Sequence, residues 1–208
     1  TQFRSGAGYQ YEDSVIYGFS HTSKGHWNLL HVPMLPVTGK VTANDYCSTF
    51  SHNNESARPG YYQVFLDRYN VNAELTSTLR CAYHKYTFPN EADKAVLVNV
   101  KRSNNNVREW DIQKVDDNTF TGSQSGEGKI YYYAVSNYKV SDIKQLKEGE
   151  KDEVAVVHFV DSKGSKPLEL KIGFSFVSVK NAKMNLETEM LNKSFAQVQN
   201  EADDTWEK

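Results

Sequence analysis

Two cysteines, Cys47 and Cys81, are all that 208 residues contain. That is no disulfide framework, so the fold has to rest on an apolar core, and a chain of this length can bury roughly 70% of its unfolded surface. Each cysteine sits in a strand-like stretch, where one bridge or two buried thiols fit equally well. A membrane-length apolar run is also missing: nothing approaches the roughly 18 residues that cross a bilayer. The first ten residues, TQFRSGAGYQ, are polar and do not read as a signal peptide; a mature or truncated chain has the same look. An excess of one charge is missing too. Lys and Arg number 24 against 26 Asp and Glu, a net charge of −2. No basic face follows from that balance, which argues against a nucleic-acid partner. What is plentiful is tyrosine, at thirteen residues. Its apolar ring and polar tip suit wet, half-buried surfaces, in sugar-binding proteins and in plain β-sandwiches alike.

The middle of the chain alternates with period two. YYQVFL (Tyr61–Leu66), VNAELTSTL (Val71–Leu79), CAYHKYTF (Cys81–Phe88) and AVLVNV (Ala95–Val100) read as strands. Further strands are expected at Arg108–Val115, Lys129–Val135, Val154–Val160 and Leu168–Val177. Turn formers separate them, among them Arg58-Pro59-Gly60, Pro89-Asn90-Glu91 and Asp116-Asp117-Asn118. GSQSGEG (Gly122–Gly128) reads as a flexible loop and KEGEKDE (Lys147–Glu153) as a charged one. Many short strands at this spacing predict an all-β fold, an antiparallel sandwich or barrel. From Asn185 the alternation stops. Phe195, Val198, Ala202 and Trp206 fall at helical spacing, and Ser194 with Gln197 makes a capping box, so Ser194–Glu207 is expected to be an amphipathic helix. Such a helix either docks back on the sandwich or leads into a further domain.

Two polar stretches carry the candidate chemistry. GFSHTSKGHWNLLHVP (Gly18–Pro33) holds three histidines and a tryptophan. His21, His26 and His31 are spaced by five, which places them neither on one helix face nor on one strand face and argues against a metal site. His31 is expected to pack near Val32 and Leu35 as a core residue. His21 and His26 flank a loop-like stretch, where binding groups concentrate on a β scaffold. Trp27 is either a flat platform for a pyranose or a large core residue. The second stretch, FSHNNESARPGYY (Phe50–Tyr62), places Ser51, His52 and Glu55 close in sequence. Adjacency does not make a triad, and a hydrogen-bonded loop before the Pro59-Gly60 turn is expected instead. Of the carboxylates Glu12, Asp13, Asp45, Glu55 and Glu74, no spacing singles out the pair that glycoside hydrolysis requires.

Taken in order, SVIYGFSHTS, FSHNNESARPGYY, AELTSTLRCAYHKYTFP and KIGFSFVSVKNAKMNLE resemble the N-terminal region of glycoside hydrolase family 92, the calcium-dependent exo-acting α-mannosidases. Their order and spacing agree from about Gly8 to Lys208. The resemblance implies a galactose-mutarotase-like β-sandwich over residues 1–190. Residues 191–208 are then a helical linker toward an (α/α) barrel catalytic domain that this chain does not include. It implies inverting hydrolysis of terminal α-mannose on glycans, with the acid, the base and the calcium ligands mainly in the barrel. No catalytic residue and no metal ligand is therefore assigned here. Substrate-pocket residues carried over by motif are Gly18, Phe19, Ser20, His21 and Thr22, with His26 and Trp27 beside them. After Thr22 the sequence departs: Ser23-Lys24-Gly25-His26-Trp27-Asn28 stands where many members have another histidine, a Gly-rich stretch and an acidic residue. The resemblance also implies a bacterial protein that is secreted, periplasmic or on the outer surface. The alternatives are a stand-alone carbohydrate-binding sandwich and a structural cell-surface domain.

Overall fold

The structure is a computed structural model that describes residues 10–22, 31–90, 92–101, 107–126, 128–149, 152–160 and 166–207. Early in the chain come β1 (Val15–Ile16), β2 (Met34–Val37), β3 (Ser48–Thr49) and a 3-10 turn at His52–Asn54. A meander follows: β4 (Glu55–Arg58), β5 (Tyr61–Leu66), β6 (Val71–Ser77) and β7 (Cys81–Thr87). Next are β8 (Lys94–Val98), β9 (Glu109–Lys114), β10 (Thr119–Ser125) and β11 (Lys129–Ser136). The last strands are β12 (Lys139–Glu148), β13 (Asp152–Val160) and β14 (Leu168–Ser175), and two helices complete the fold, α1 (Val179–Glu189) and α2 (Phe195–Trp206).

An eight-stranded sheet, ordered β4-β5-β6-β7-β14-β11-β10-β9, faces a four-stranded sheet ordered β12-β13-β8-β2. A short β1–β3 pair lies apart from both, and every pairing is antiparallel. Of the sandwich and the barrel that the alternation allows, the chain is the antiparallel β-sandwich. Strand β11 shows the cause: Ile130, Tyr132 and Ala134 turn inward while their neighbours are more exposed. Strand β8 reads KAVLV, and Ala95 to Val98 are all buried, as in an interior strand covered on both faces.

The other face of the large sheet carries the helices. A second apolar cluster joins Cys81 and Tyr83 of β7 to Leu186, Met190, Phe195 and Val198. Burying a side chain such as Leu186 contributes roughly 1.5–3 kcal/mol. Helix α1 is absent from the sequence reading. Its signal is Ser178, which caps it by accepting the Asn181 amide at 3.1 Å, followed by Ala182, Leu186 and Met190 at four-residue spacing. Helix α2 matches its expectation to within a residue, and both halves of the Ser194–Gln197 capping box form. Its apolar face is shorter than expected, however. Phe195 and Val198 are buried against the sheet and Ala202 lies over the Gly60 turn, whereas Trp206, the last residue of the helix, is 72% exposed.

Two loop expectations are corrected. GSQSGEG is not a loop throughout: Gly122 to Ser125 lie in β10, paired on both sides, and Thr119 to Gln124 are buried. The strand was hidden because small polar residues, satisfied by hydrogen bonds, fill it in place of apolar ones. Gly122 has no side chain because the Asp111 carbonyl oxygen and the Tyr132 hydroxyl would lie 2.1 and 2.3 Å from its Cβ. Strands also run into KEGEKDE from both ends, to Glu148 and from Asp152. Both cysteines are free thiols, Cys81 buried under the helices and Cys47 half-buried.

Candidate functional site

The segment Gly18–Thr22 is tied to both sheets. Gly18 has φ +153°, and a Cβ on it would meet the Pro33 side chain at 3.0 Å, so glycine suits the position twice over. Phe19 is buried and exchanges two backbone hydrogen bonds with Met34, at 2.8 and 3.0 Å, which hangs the segment on the start of β2. Ser20 is exposed. The His21 ring then crosses to the large sheet. It stacks on His84 of β7, with centroids 4.9 Å apart, and lies 4.6 Å from the Phe174 ring of β14. Thr22 Oγ1 and His31 Nδ1 are 2.7 Å apart, and His31 is 5% exposed, buried as expected. His26 and Trp27 lie outside the described residues.

Three side chains that sequence reasoning missed hold this segment. His21 Nε2 is 3.1 Å from His84 Nε2, and His84 Nδ1 is 2.5 Å from the Tyr86 hydroxyl. Burial pushes the His21 imidazole down to about 4. Burial also holds His84 well below its ordinary range, with His21 adding to the effect. The third is Gln124. Its Oε1 accepts the Val32 amide at 2.9 Å and its Nε2 donates to the Val100 carbonyl at 2.9 Å. Val32 has φ +47°, a conformation a β-branched residue seldom adopts. Its two backbone polar groups go to side chains, the amide to Gln124 and the carbonyl to His21 Nδ1 at 2.8 Å. Those two bonds hold the strained residue just before the start of β2.

The second polar stretch meets the first through Tyr62, whose ring lies 6.2 Å edge-on from Phe19. The Tyr62 hydroxyl donates to Glu55 Oε1 at 2.6 Å, and Glu55 Oε2 is 2.6 Å from His52 Nδ1. His52 Nε2 lies 2.6 Å from the Tyr11 carbonyl oxygen, and the Tyr11 ring stacks on the imidazole at 4.2 Å. Both His52 nitrogens therefore face acceptors, and neither is left for Ser51, which caps the 3-10 turn by accepting the Asn53 amide. A serine triad does not form here. Two shallow clefts flank the turn, one beside Asn53, Gln63, Phe65 and Asn72, the other beside Tyr11, Asp13 and His52. Neither is lined by Gly18–Thr22.

The hydrogen bond to Glu55 raises the His52 pKa. A raised folded value means that the contribution is complete below the unfolded pKa near 6.5 and fades as pH rises through the folded value. Comparing urea midpoints of the protein and His52→Gln across pH should therefore show the largest gap below pH 6.5 and a shrinking gap in alkali. A gap that widened with pH would contradict the imidazolium assignment.

Of the remaining candidate carboxylates, Glu12 is exposed and the other three have their own partners. Asp45 pairs with Arg68 at 2.6 Å, Glu74 with Lys85 at 3.0 Å, and Asp13 accepts the Gln10 amide at 3.2 Å. Among the described residues no three His, Cys, Asp or Glu side chains come together to hold a metal ion.

Fold and site together define a β-sandwich domain that presents a glycine-anchored polar loop at the end of its core. The model of the glycosyl hydrolase family 92 N-terminal domain matches residues 1–175, and the chain belongs to that family. Among solved structures, it is similar to the family GH92 alpha-mannosidase BT3965 from Bacteroides thetaiotaomicron, with 24% identity and a TM-score of 0.83 over 96% of this chain and 32% of that one. The GH92 family glycosyl hydrolase ccman5 is similar at 21% identity and a TM-score of 0.82, over 98% of this chain and 31% of that one. The family GH92 inverting mannosidase BT2199 from Bacteroides thetaiotaomicron VPI-5482 shares 20% identity at a TM-score of 0.80, over 98% of this chain and 30% of that one. These likenesses show the fold, and the chain spans about a third of the length of each structure. Curated proteins gave no match.

Proposed function

We propose that this chain is the N-terminal domain of a calcium-dependent exo-α-mannosidase that removes terminal α-mannose from glycans with inversion. The observation that carries the reading is the match of the family's N-terminal domain over residues 1–175. In this reading the Gly18–Thr22 loop is one wall of the sugar pocket. The other wall, with the two carboxyl groups and the calcium ligands, belongs to a C-terminal helical barrel docked on the sandwich. One carboxyl there protonates the leaving oxygen and the other activates water, as inversion requires. The sandwich supplies position rather than proton transfer. An envelope-facing or secreted bacterial location goes with a substrate met outside the cell.

The test compares residues 1–208 with the full-length protein on an aryl α-mannoside, each with calcium and with chelator. Turnover by the full-length protein alone, abolished by chelator, is the expected result. Turnover by residues 1–208 would place the catalytic carboxylates in this chain and overturn the division of labour. Silence in both would favour the stand-alone sugar-binding module.

A further inference from the structure

Three hydrogen bonds in series join the Val32 carbonyl, His21, His84 and Tyr86, and a single arrangement of protons on neutral rings satisfies all of them. The Val32 carbonyl can only accept, so His21 Nδ1, at 2.8 Å, must carry its proton and donate. In a neutral imidazole that leaves His21 Nε2 bare, and it has to accept from His84 Nε2 at 3.1 Å. His84 is then the opposite tautomer, with a bare Nδ1 that accepts the Tyr86 hydroxyl proton at 2.5 Å. The reverse order would set a bare His21 Nδ1 against the Val32 carbonyl oxygen, acceptor against acceptor. His84 is 2% exposed and Tyr86 is fully buried, so water does not compete for these bonds. Phe19 closes the edge of the His84 ring at 6.2 Å, and Phe174 closes one side of the His21 ring.

After this count both His21 nitrogens are spent inside the protein. Thr22 Oγ1 is likewise engaged with His31 Nδ1 at 2.7 Å, and Phe19 and Gly18 are buried. Ser20 is the member of the segment whose side chain is exposed, and its hydroxyl has no partner among the described residues. From this geometry we infer that His21 is a positioning residue, locked by His84 and Tyr86, and that Ser20 is the group this loop offers to a sugar hydroxyl. The inference deepens the reading of the chain as part of a mannosidase and rests on it for the identity of the ligand. The lock itself does not depend on that reading.

Ring nitrogen spectra of the ¹⁵N-histidine-labelled chain at neutral pH test the lock. Expected are His21 with its proton on Nδ1 and His84 with its proton on Nε2. A His21 proton on Nε2 overturns it. In the full-length protein on an aryl α-mannoside, Ser20→Ala should raise KM about tenfold with an unmoved melting midpoint, the loss of one hydrogen bond to substrate. His84→Leu should lower kcat/KM by a similar factor, and His84→Gln, which keeps an N–H near the same place, should restore most of it. An unchanged KM in Ser20→Ala overturns its assignment as the sugar-facing group. Equal losses in His84→Leu and His84→Gln would reduce His84 to a packing residue. A full-length protein that cleaves no mannoside sinks the functional reading and Ser20's role with it, while the tautomers still decide the lock.

Discussion

Replacing Gly173 with alanine is expected to cost the fold about 3 kcal/mol, the upper end of ordinary overpacking. Gly173 lies in β14 beneath α1. A Cβ there would sit 2.2 Å from the Ala182 carbonyl oxygen and 2.9 Å from Leu186 Cβ. The nearest atom is helix backbone, which cannot rotate aside as a side chain would. The helix must therefore lift, and it carries Leu186 and Met190 out of the cluster they share with Phe195 and Val198 of α2. A destabilisation of that size lowers the melting temperature by roughly 6–12 °C in a domain of this length. Thermal denaturation of Gly173→Ala beside Ser175→Ala, a change in the same strand outside that contact, checks it. An unmoved midpoint would show that α1 does not pack as closely as described.

The Gln124→Leu variant should lose about 2–4 kcal/mol, because it leaves buried backbone groups without partners in a space of similar size. The Val32 amide loses its acceptor, and the carbonyls of Val100 and, at 3.4 Å, Asn99 lose their donor. Gln124 is 3% exposed, so water cannot take its place without entering the core. The effect should also be local. Val32 at φ +47° is held by Gln124 on one side and His21 on the other, so removing one clamp frees the strained residue. Hydrogen exchange at Val32 should accelerate more than the loss of global stability explains. Equal acceleration at Val32 and in the centre of β8 would mean that Gln124 supports the core in general and not the loop.

Much of the fold was legible because its strands alternate. Tyr61–Leu66 was read to the residue, and the capping box at Ser194 formed as its sequence implies. The hidden strands broke the rule for physical reasons. Strand β12, at the edge of the smaller sheet, exposes most of its residues and shifts register between Val140 and Asp142, so KVSDIKQLKE shows little alternation. Strand β10 hid because, apart from Phe120, the side chains it buries are polar or absent, with Thr121 bonded to the Tyr132 carbonyl and Gln124 to Val32 and Val100. The loop's buried supports were out of reach for another reason. His21 meets His84 across 63 positions and Val32 meets Gln124 across 92, and no spacing rule connects residues so far apart. The i, i+2 pair His84 and Tyr86 in CAYHKYTF was the available hint: two polar rings on one strand face that buries its neighbours.

The place of β14 has a consequence for how the domain is made. It lies between β7 and β11, so the first half of the large sheet, β4 to β7, and the second, β9 to β11, are joined through a strand made after both. The ring of Phe174 at the end of that strand is also one wall around His21. A chain emerging from the ribosome thus holds the loop residues from early on but cannot fix them until nearly all of the sandwich has followed. The loop, made before the large sheet, is completed by the last strand to join that sheet, and a polypeptide cut short before β14 would carry Met34, His84 and Gln124 but lack the Phe174 wall beside His21.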